Sequence, residues 1–285
     1  MRILVLGASG MLGSAVFRLL AATPGLDVTG TVRDAGRVAA WPEALQAALL
    51  ADVDALDEEG LADTLERTHP DVVINCVGLI KQLAAASDPL QALPVNALLP
   101  HRLARLAALS GARVVHVSTD CVFAGRKGGY RESDVPDAED LYGKSKQLGE
   151  LLDYPHAVTL RTSIIGHELD TQLALVDWFL AQSGSVRGYT QAIFSGLPTV
   201  ELATVIRDHV LPRRELHGLY HVSADPIDKC SLLRLIAEVY GKAIEIVPDD
   251  SVAIDRSLDS TRFRATTGYC PPAWPELVRR MHAAR

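Results

Sequence analysis

The sequence predicts an α/β fold: a Rossmann-like, doubly wound parallel sheet with a smaller C-terminal lobe for substrate. Short β-branched runs alternate with longer stretches of helical periodicity through the first half of the chain. A glycine-rich turn joins the first run to the first helical stretch, and beyond Gly166 the alternation gives way to segments punctuated by Gly184, Gly188, Gly196 and Pro198.

Strands are expected at 2–6, 28–32, 72–75, 113–118 and 157–161, with a third strand closing at Ala51-Asp52-Val53. Helical spacing of apolar residues marks 11–22, 59–68, 94–109 and 141–152 between them, and 200–209 and 231–240 later. Strands and helices in alternation imply parallel strands covered on both faces and joined by right-handed crossovers. A cofactor domain is therefore expected over 1–166, completed by parts of 200–225, with 167–285 mainly a substrate lobe. In that lobe, residues 195–199 read as a loop able to cover a bound nucleotide. Trp178 and Trp274 read as core, and the stretch Cys270-Pro271-Pro272-Ala273-Trp274-Pro275 precedes a last short helix.

Composition narrows the function. At 285 residues and 48% hydrophobic, the chain can bury a core without disulfides or a metal. Its apolar runs fall short of the ~20 residues that a membrane-spanning helix needs, and Met1–Gly7 does not read as a secretory leader. Cys76, Cys121, Cys230 and Cys270 form no CxxC pair, as expected of thiols in a reducing, cytoplasmic setting. A net charge of −7 without a basic cluster argues against nucleic acid as a partner. The histidines offer no HExxH, and His217 and His221 share a face only loosely, so no metal is expected.

The turn Gly7-Ala8-Ser9-Gly10-Met11-Leu12-Gly13 lies between the first strand and the first helix. Gly7 permits a tight turn, Gly10 lets backbone approach a pyrophosphate, and Gly13 lets helix and strand pack closely. The helix N-terminus, with Ser9, Met11 and Leu12, then offers N–H groups to phosphates. No carboxylate closes the second strand; Arg33 follows it, suited to a ribose 2′-phosphate and hence to NADP(H), unless it is a solvated loop residue. Arg37 could assist. Asp52, beside Val53, either accepts from an adenine amino group or is a surface acid. Cys76, Val77 and Gly78 end the next strand with small residues against which a cofactor could lie. Asn96 reads as a tie between two strands.

Tyr142 and Lys146 lie one helical turn apart on one face. An ammonium near the phenol is expected to lower its pKa and let it exchange a proton with a substrate oxygen. Thr119, at a strand's carboxyl end, would offer a hydroxyl to that oxygen. Lys81 either meets a diphosphate or faces water. Arg256 either binds diphosphate or pairs with Asp255 or Asp259, and Arg187 lies in the substrate lobe.

With Gly7-x-x-Gly10-x-x-Gly13, Ser118-Thr119-Asp120 and Tyr142-x-x-x-Lys146, the chain resembles the extended short-chain dehydrogenases/reductases. The segments Ser118-Thr119-Asp120-Cys121-Val122-Phe123-Ala124-Gly125, Tyr130-Arg131-Glu132-Ser133-Asp134, Leu160-Arg161-Thr162-Ser163 and Gly196-Leu197-Pro198-Thr199 are similar to the dTDP-4-dehydrorhamnose reductase family, and the resemblance runs through essentially the whole chain. It implies reduction by NADPH of the 4-keto group of a nucleotide-linked 6-deoxyhexose. It also implies catalytic roles for Thr119, Tyr142 and Lys146, with Lys146 holding the nicotinamide ribose and Ser163 near the nicotinamide. Asp120, Cys121 and Phe123 are candidate substrate residues, together with Lys81, Arg187 and Arg256, the position of Cys121 lying close to the sugar in that family. Cys121 departs from the family's aromatic and puts the particular sugar in doubt. Leu6 and Asn75-Cys76-Val77-Gly78 are smaller departures. An epimerase or dehydratase on a similar substrate, or a non-catalytic NADP-binding regulatory subunit, remains an alternative, and a homodimer is left open.

Overall fold

Aliphatic runs that alternate in side-chain direction can feed two cores at once, and that is how the sheet is built. In the computed structural model, which describes residues 1–81, 83–169 and 172–285, seven strands run parallel. They are β1 (Arg2–Leu6), β2 (Asp27–Thr31), β3 (Leu49–Leu50), β4 (Val72–Asn75), β5 (Arg113–Thr119), β6 (Ala157–Thr162) and β7 (Gly218–His221), in the order β3-β2-β1-β4-β5-β6-β7. Ile3 and Val5 face one core with Val16, Phe17 and Leu20 of α1 (Met11–Ala21). Leu4 and Leu6 face the other, with Leu61 and Leu65 of α2 (Glu58–Thr68) and Leu99 and Leu103 of α3 (Leu99–Ser110). The strand order reverses beside β1, and at such a switch point the carboxyl ends diverge and leave a crevice.

Four expected elements differ from the structure. The helix expected over 94–109 divides into a π-helical turn, Leu93–Leu98, and then α3, since Pro94 and Pro100 lack the N–H groups that a regular ladder needs. The helix expected over 141–152 is α4 (Leu141–Leu148) and stops at Gly149, where a Cβ would lie 2.0 Å from the Asn96 carbonyl oxygen. The third strand ends at Leu50; Asp52 lies past it, in the left-handed region at φ 59°. The helix expected over 200–209 is one α-helical segment, Thr199–Val205, followed by a π-helical turn, Ile206–Val210.

The second half adds short sheets. Ser185–Tyr189 pairs with Glu245–Asp249, and Ala192–Phe194 lies between Ile227–Asp228 and Ile254–Asp255. Residues 195–199 do not form a cover: Ser195, Leu197 and Thr199 are buried, and Leu197–Pro198 pairs with Ile164–Ile165. Trp274 is core, stacked obliquely on Phe194, whereas Trp178 is 39% exposed. Among the described residues no helix is long and apolar enough to cross a membrane.

Candidate active site

The glycine turn takes its shape from contacts that a side chain would block. Gly7 has φ +78°, and its N–H donates to the Thr31 hydroxyl (3.2 Å). A Cβ on Gly13 would sit 2.0 Å from the Gly7 carbonyl oxygen, so α1 rests directly on the turn. No side chain caps α1 and no acid occupies its first turn, which leaves its N-terminal N–H groups and positive dipole end for an anion. Ser9 and Met11 are half-buried at this point, while the Leu12 side chain is buried in the core, so only its backbone can serve a ligand. Arg33 is exposed just past β2, Asp52 is exposed, and Val53 is half-buried and donates its N–H to the Val32 carbonyl.

The end of β4 is held from inside. The Asn75 amide donates toward His116 Nδ1 (3.2 Å), and its oxygen accepts the Val77 N–H (3.1 Å). Cys76, its thiol pushed up to about 12 by burial, donates its N–H to the Leu6 carbonyl. Gly78 is exposed, and a Cβ there would come within 3.9 Å of Lys146 Nζ. The turn, this strand end and Lys146 are thus contiguous. Asn96 ties a loop to a helix rather than two strands together: its oxygen accepts the Leu79 N–H (2.9 Å) and its amide donates to the Ser145 hydroxyl (3.2 Å).

Helix α4 starts at Asp140, whose carboxylate accepts the Gly143 N–H (2.7 Å). Gly143 is a glycine of contact, since a Cβ would lie 2.3 Å from the Cys121 carbonyl oxygen. That contact seats Tyr142 against the end of β5, with the Thr119 hydroxyl beside its phenol. Thr119 donates to Asp120 Oδ1 (3.2 Å) and accepts the Cys121 N–H (3.1 Å). Lys146 donates through Nζ to the Val117 carbonyl (2.9 Å).

The charge relation expected of this pair is reversed. Burial raises the Tyr142 pKa above its ordinary value, with Cys121 and Asp120 adding to the rise and the Thr119 hydroxyl opposing it. Burial also brings the Lys146 ammonium down to about 8, with Glu150 opposing. For each group, desolvation outweighs the opposing contacts. The phenol therefore keeps its proton through the neutral range and stands as an acid.

On the far side of Tyr142 lie Asp120, Cys121, Ser163 and Arg256. Burial raises the Asp120 pKa against the pull of Arg256, with Cys121, Thr119 and Ser163 beside its carboxyl also lowering it. The Cys121 thiol is pushed up to about 12 by burial. Arg256 is half-buried and donates through Nε to the Phe123 carbonyl (2.7 Å). Asp255 and Asp259 do not hold it: their carboxylates accept from the Ser257 and Thr261 backbones, and Arg131 also donates to Asp259. Phe123 itself is a correction, because its ring is fully buried and stacked on Tyr130 at 4.0 Å, leaving only its carbonyl for the site. Lys81 pairs with Asp140 at the start of α4 rather than standing free. Arg187 is exposed and pairs with Asp249; no hydrogen bond or ion pair among the described residues links it to the group.

Beneath the site sits a cluster that the sequence analysis did not single out. Arg161 of β6 forms a two-point ion pair with Glu150 (2.8 and 2.6 Å), and Glu150 also accepts the Ser118 hydroxyl (2.7 Å). Arg161 Nη1 meets His221 Nε2 at 2.9 Å, and His221 Nδ1 meets the Tyr130 carbonyl at the same distance. Burial, with Arg161 beside it, brings the His221 pKa down to about 3, so the ring is neutral and donates from Nδ1. An arginine within an apolar parallel strand was the available signal, since a buried charge requires a partner.

Parallel sheet, phosphate-binding turn and Thr-Tyr-Lys group define an extended short-chain dehydrogenase/reductase. A family model described as the RmlD substrate binding domain matches residues 1–284, and the chain belongs to that family. A dTDP-4-dehydrorhamnose reductase of Mycobacterium tuberculosis is 42% identical over 103 residues, an alignment spanning 33% of this chain and 34% of that protein. One of Aggregatibacter actinomycetemcomitans is 27% identical over 99% of this chain and 98% of its own length. Methionine adenosyltransferase 2 subunit beta of Danio rerio is 29% identical over 84% of this chain and 74% of its length. Among solved structures, dTDP-4-dehydrorhamnose reductase of Bacillus anthracis in complex with NADP superposes with a TM-score of 0.81 at 21% identity, covering 100% of this chain and 98% of that one.

Proposed function

We propose that the protein reduces the 4-keto group of a nucleotide-linked 6-deoxyhexose with NADPH. The observation that carries this is the Tyr142 phenol, protonated and set beside the Thr119 hydroxyl, standing one turn from a buried Lys146 that borders Gly78 and the glycine turn. The residues fit the cofactor: the uncapped start of α1 suits a pyrophosphate, Arg33 a 2′-phosphate, and the open face of Gly78 a ribose within reach of Lys146. NADPH bound there would supply the hydride. Tyr142 donates its phenolic proton to the oxygen of the ketone, and Thr119 steadies that oxygen once its hydroxyl turns from Asp120. Lys146 holds its charge beneath the ribose. Arg256, beside Asp120, supplies a cation toward an anionic substrate. We assign residues 1–166 with part of 200–225 to cofactor binding and 167–285 chiefly to substrate.

In the expected assay, NADPH absorbance falls one-for-one with product when a 4-keto sugar nucleotide is added. Epimerase or dehydratase chemistry would leave the cofactor unconsumed. The likeness to a chain named as a subunit favours a second reading, a non-catalytic NADP-binding subunit, and NADPH binding without turnover on any keto-sugar nucleotide would select it.

Lys146 sets the alkaline limb. With the phenol protonated, the free protein loses charge first at Lys146, so kcat/KM for NADPH is expected to fall above about pH 8. Lys146→Arg, which keeps its charge, should move that limb upward, and an unmoved limb would assign it elsewhere. Exposed Leu90, Leu98 and Leu148, on mutually contacting segments, favour a homodimer, and sedimentation equilibrium showing a monomer would remove it. Free thiols and the absence of a membrane-crossing helix among the described residues favour the cytoplasm, which fractionation of cells checks.

A further inference from the structure

Arg256 belongs to the second half of the chain, yet its direction is set from the first. Its Nε donates to the Phe123 carbonyl (2.7 Å). Phe123 closes the short turn that begins at Thr119, its N–H donating to the Asp120 carbonyl (3.0 Å). The guanidinium is thus tied, through one residue's backbone, to the strand end that carries Thr119. Among the described residues its Nη1 and Nη2 make no hydrogen bond or ion pair, which leaves them for an anion. The Phe123 ring is fully buried, stacked on Tyr130 at 4.0 Å and lying 5.0 Å from the Arg161 guanidinium, so its carbonyl has little freedom to turn. Backbone bonds hold the two segments in register: the Asp255 N–H donates to the Gly125 carbonyl (2.8 Å), the Gly128 N–H to the Asp255 carbonyl (3.1 Å) and the Tyr130 N–H to the Ser257 carbonyl (2.8 Å). Gly125 is buried at φ +87°, and a Cβ on it would lie 2.5 Å from Ile254 Cγ1 and 2.9 Å from Arg256 Cγ. Both are side-chain atoms, so an added methyl would move the arginine rather than open the backbone pairing.

We propose that Phe123 and Gly125 are positioning residues that aim the Arg256 guanidinium at the anionic part of the substrate, an inference that rests on the reductase reading. Phe123 supplies the carbonyl that takes Nε, and Gly125 leaves the space in which the arginine stem lies. With Nε committed, the far edge of the guanidinium presents two parallel N–H groups, a geometry suited to two oxygens of one phosphate. A lysine at this position would bring the charge without the tie, because an ammonium on a flexible stem has no second nitrogen to fix its direction.

A double-mutant cycle between Gly125→Ala and Arg256→Ala tests this. Wild-type protein loaded with NADP+ is titrated calorimetrically with dTDP, UDP, GDP and CDP, and the tightest binder serves as the probe. Each single variant should weaken the probe about 10-fold or more, the worth of a charge-assisted contact, while NADP+ affinity stays at the wild-type value. In the double variant, Gly125→Ala should add little to the loss caused by Arg256→Ala, because the side chain it displaces is gone. In turnover, Gly125→Ala should raise KM for the keto-sugar nucleotide and leave kcat nearly unchanged, the mark of lost binding rather than lost chemistry. If Gly125→Ala does not fold, Arg256→Lys reads the same point: it keeps the charge but cannot hold Nε on Phe123, and should lose nearly as much as Arg256→Ala. Losses that multiply in the double variant, or an Arg256→Lys that binds the probe like wild type, overturn the positioning while leaving the reductase intact. Wild-type protein that binds the probe but oxidises no NADPH with any keto-sugar nucleotide removes the reductase reading, and wild type that binds none of the four diphosphates removes the inference.

Discussion

Tyr142→Phe is expected to lower kcat by about 10²–10⁴-fold, the contribution of a positioned acid, equivalent to about 3–5 kcal/mol of barrier. The substitution keeps the ring beside Cys121 and removes only the oxygen that faces Thr119. Its structural cost is therefore at most that of one hydrogen bond, about 1 kcal/mol, and NADPH affinity should stay nearly unchanged. Stopped-flow oxidation of NADPH, alongside a binding titration, separates the two quantities. Full turnover in this variant would remove Tyr142 from its role, and a parallel loss of NADPH binding would show that the phenol holds cofactor instead.

Glu150→Ala is expected to cost about 3–5 kcal/mol of folding stability, because it leaves the Arg161 guanidinium buried without its counter-charge. Both side chains are only 2% exposed, so water cannot take the partner's place. The Ser118 hydroxyl would lose its acceptor in the same step, while His221, neutral and already bonded to Tyr130, offers no compensating charge. Against a total of about 5–15 kcal/mol, such a loss would be read as a large drop in urea midpoint. The double variant Glu150→Met with Arg161→Met should recover most of it, since removing both charges removes the desolvation penalty. A single variant within about 1 kcal/mol of wild type would show that water reaches the pair.

Periodicity and turn chemistry made much of the fold legible. The alternation of β-branched runs with helical spacing placed β1 and β4 at their observed bounds and six other strands and helices within a residue or two. The errors fell where a tertiary contact overrides local pattern. The helix stops at Gly149, a glycine C-cap packed against the Asn96 carbonyl, four residues short of the apolar pattern. Likewise 195–199 has loop composition, yet pairing with Ile164–Ile165 makes it interior.

Candidate site residues divide in the same way. Spacing on one helix face was enough to put Tyr142 and Lys146 together. It could not show that Phe123 turns its ring into the core, that Lys81 is spent on Asp140, or that Arg187 pairs with Asp249.

By itself the sequence determined the sheet, the phosphate-binding turn and the list of groups able to move a proton, because these depend on periodicity, on glycine and on residue type. Only the tertiary structure decided which way the charges act. Burial depends on what packs around a group, and here it keeps Tyr142 an acid, softens Lys146 and locks Arg161 onto Glu150.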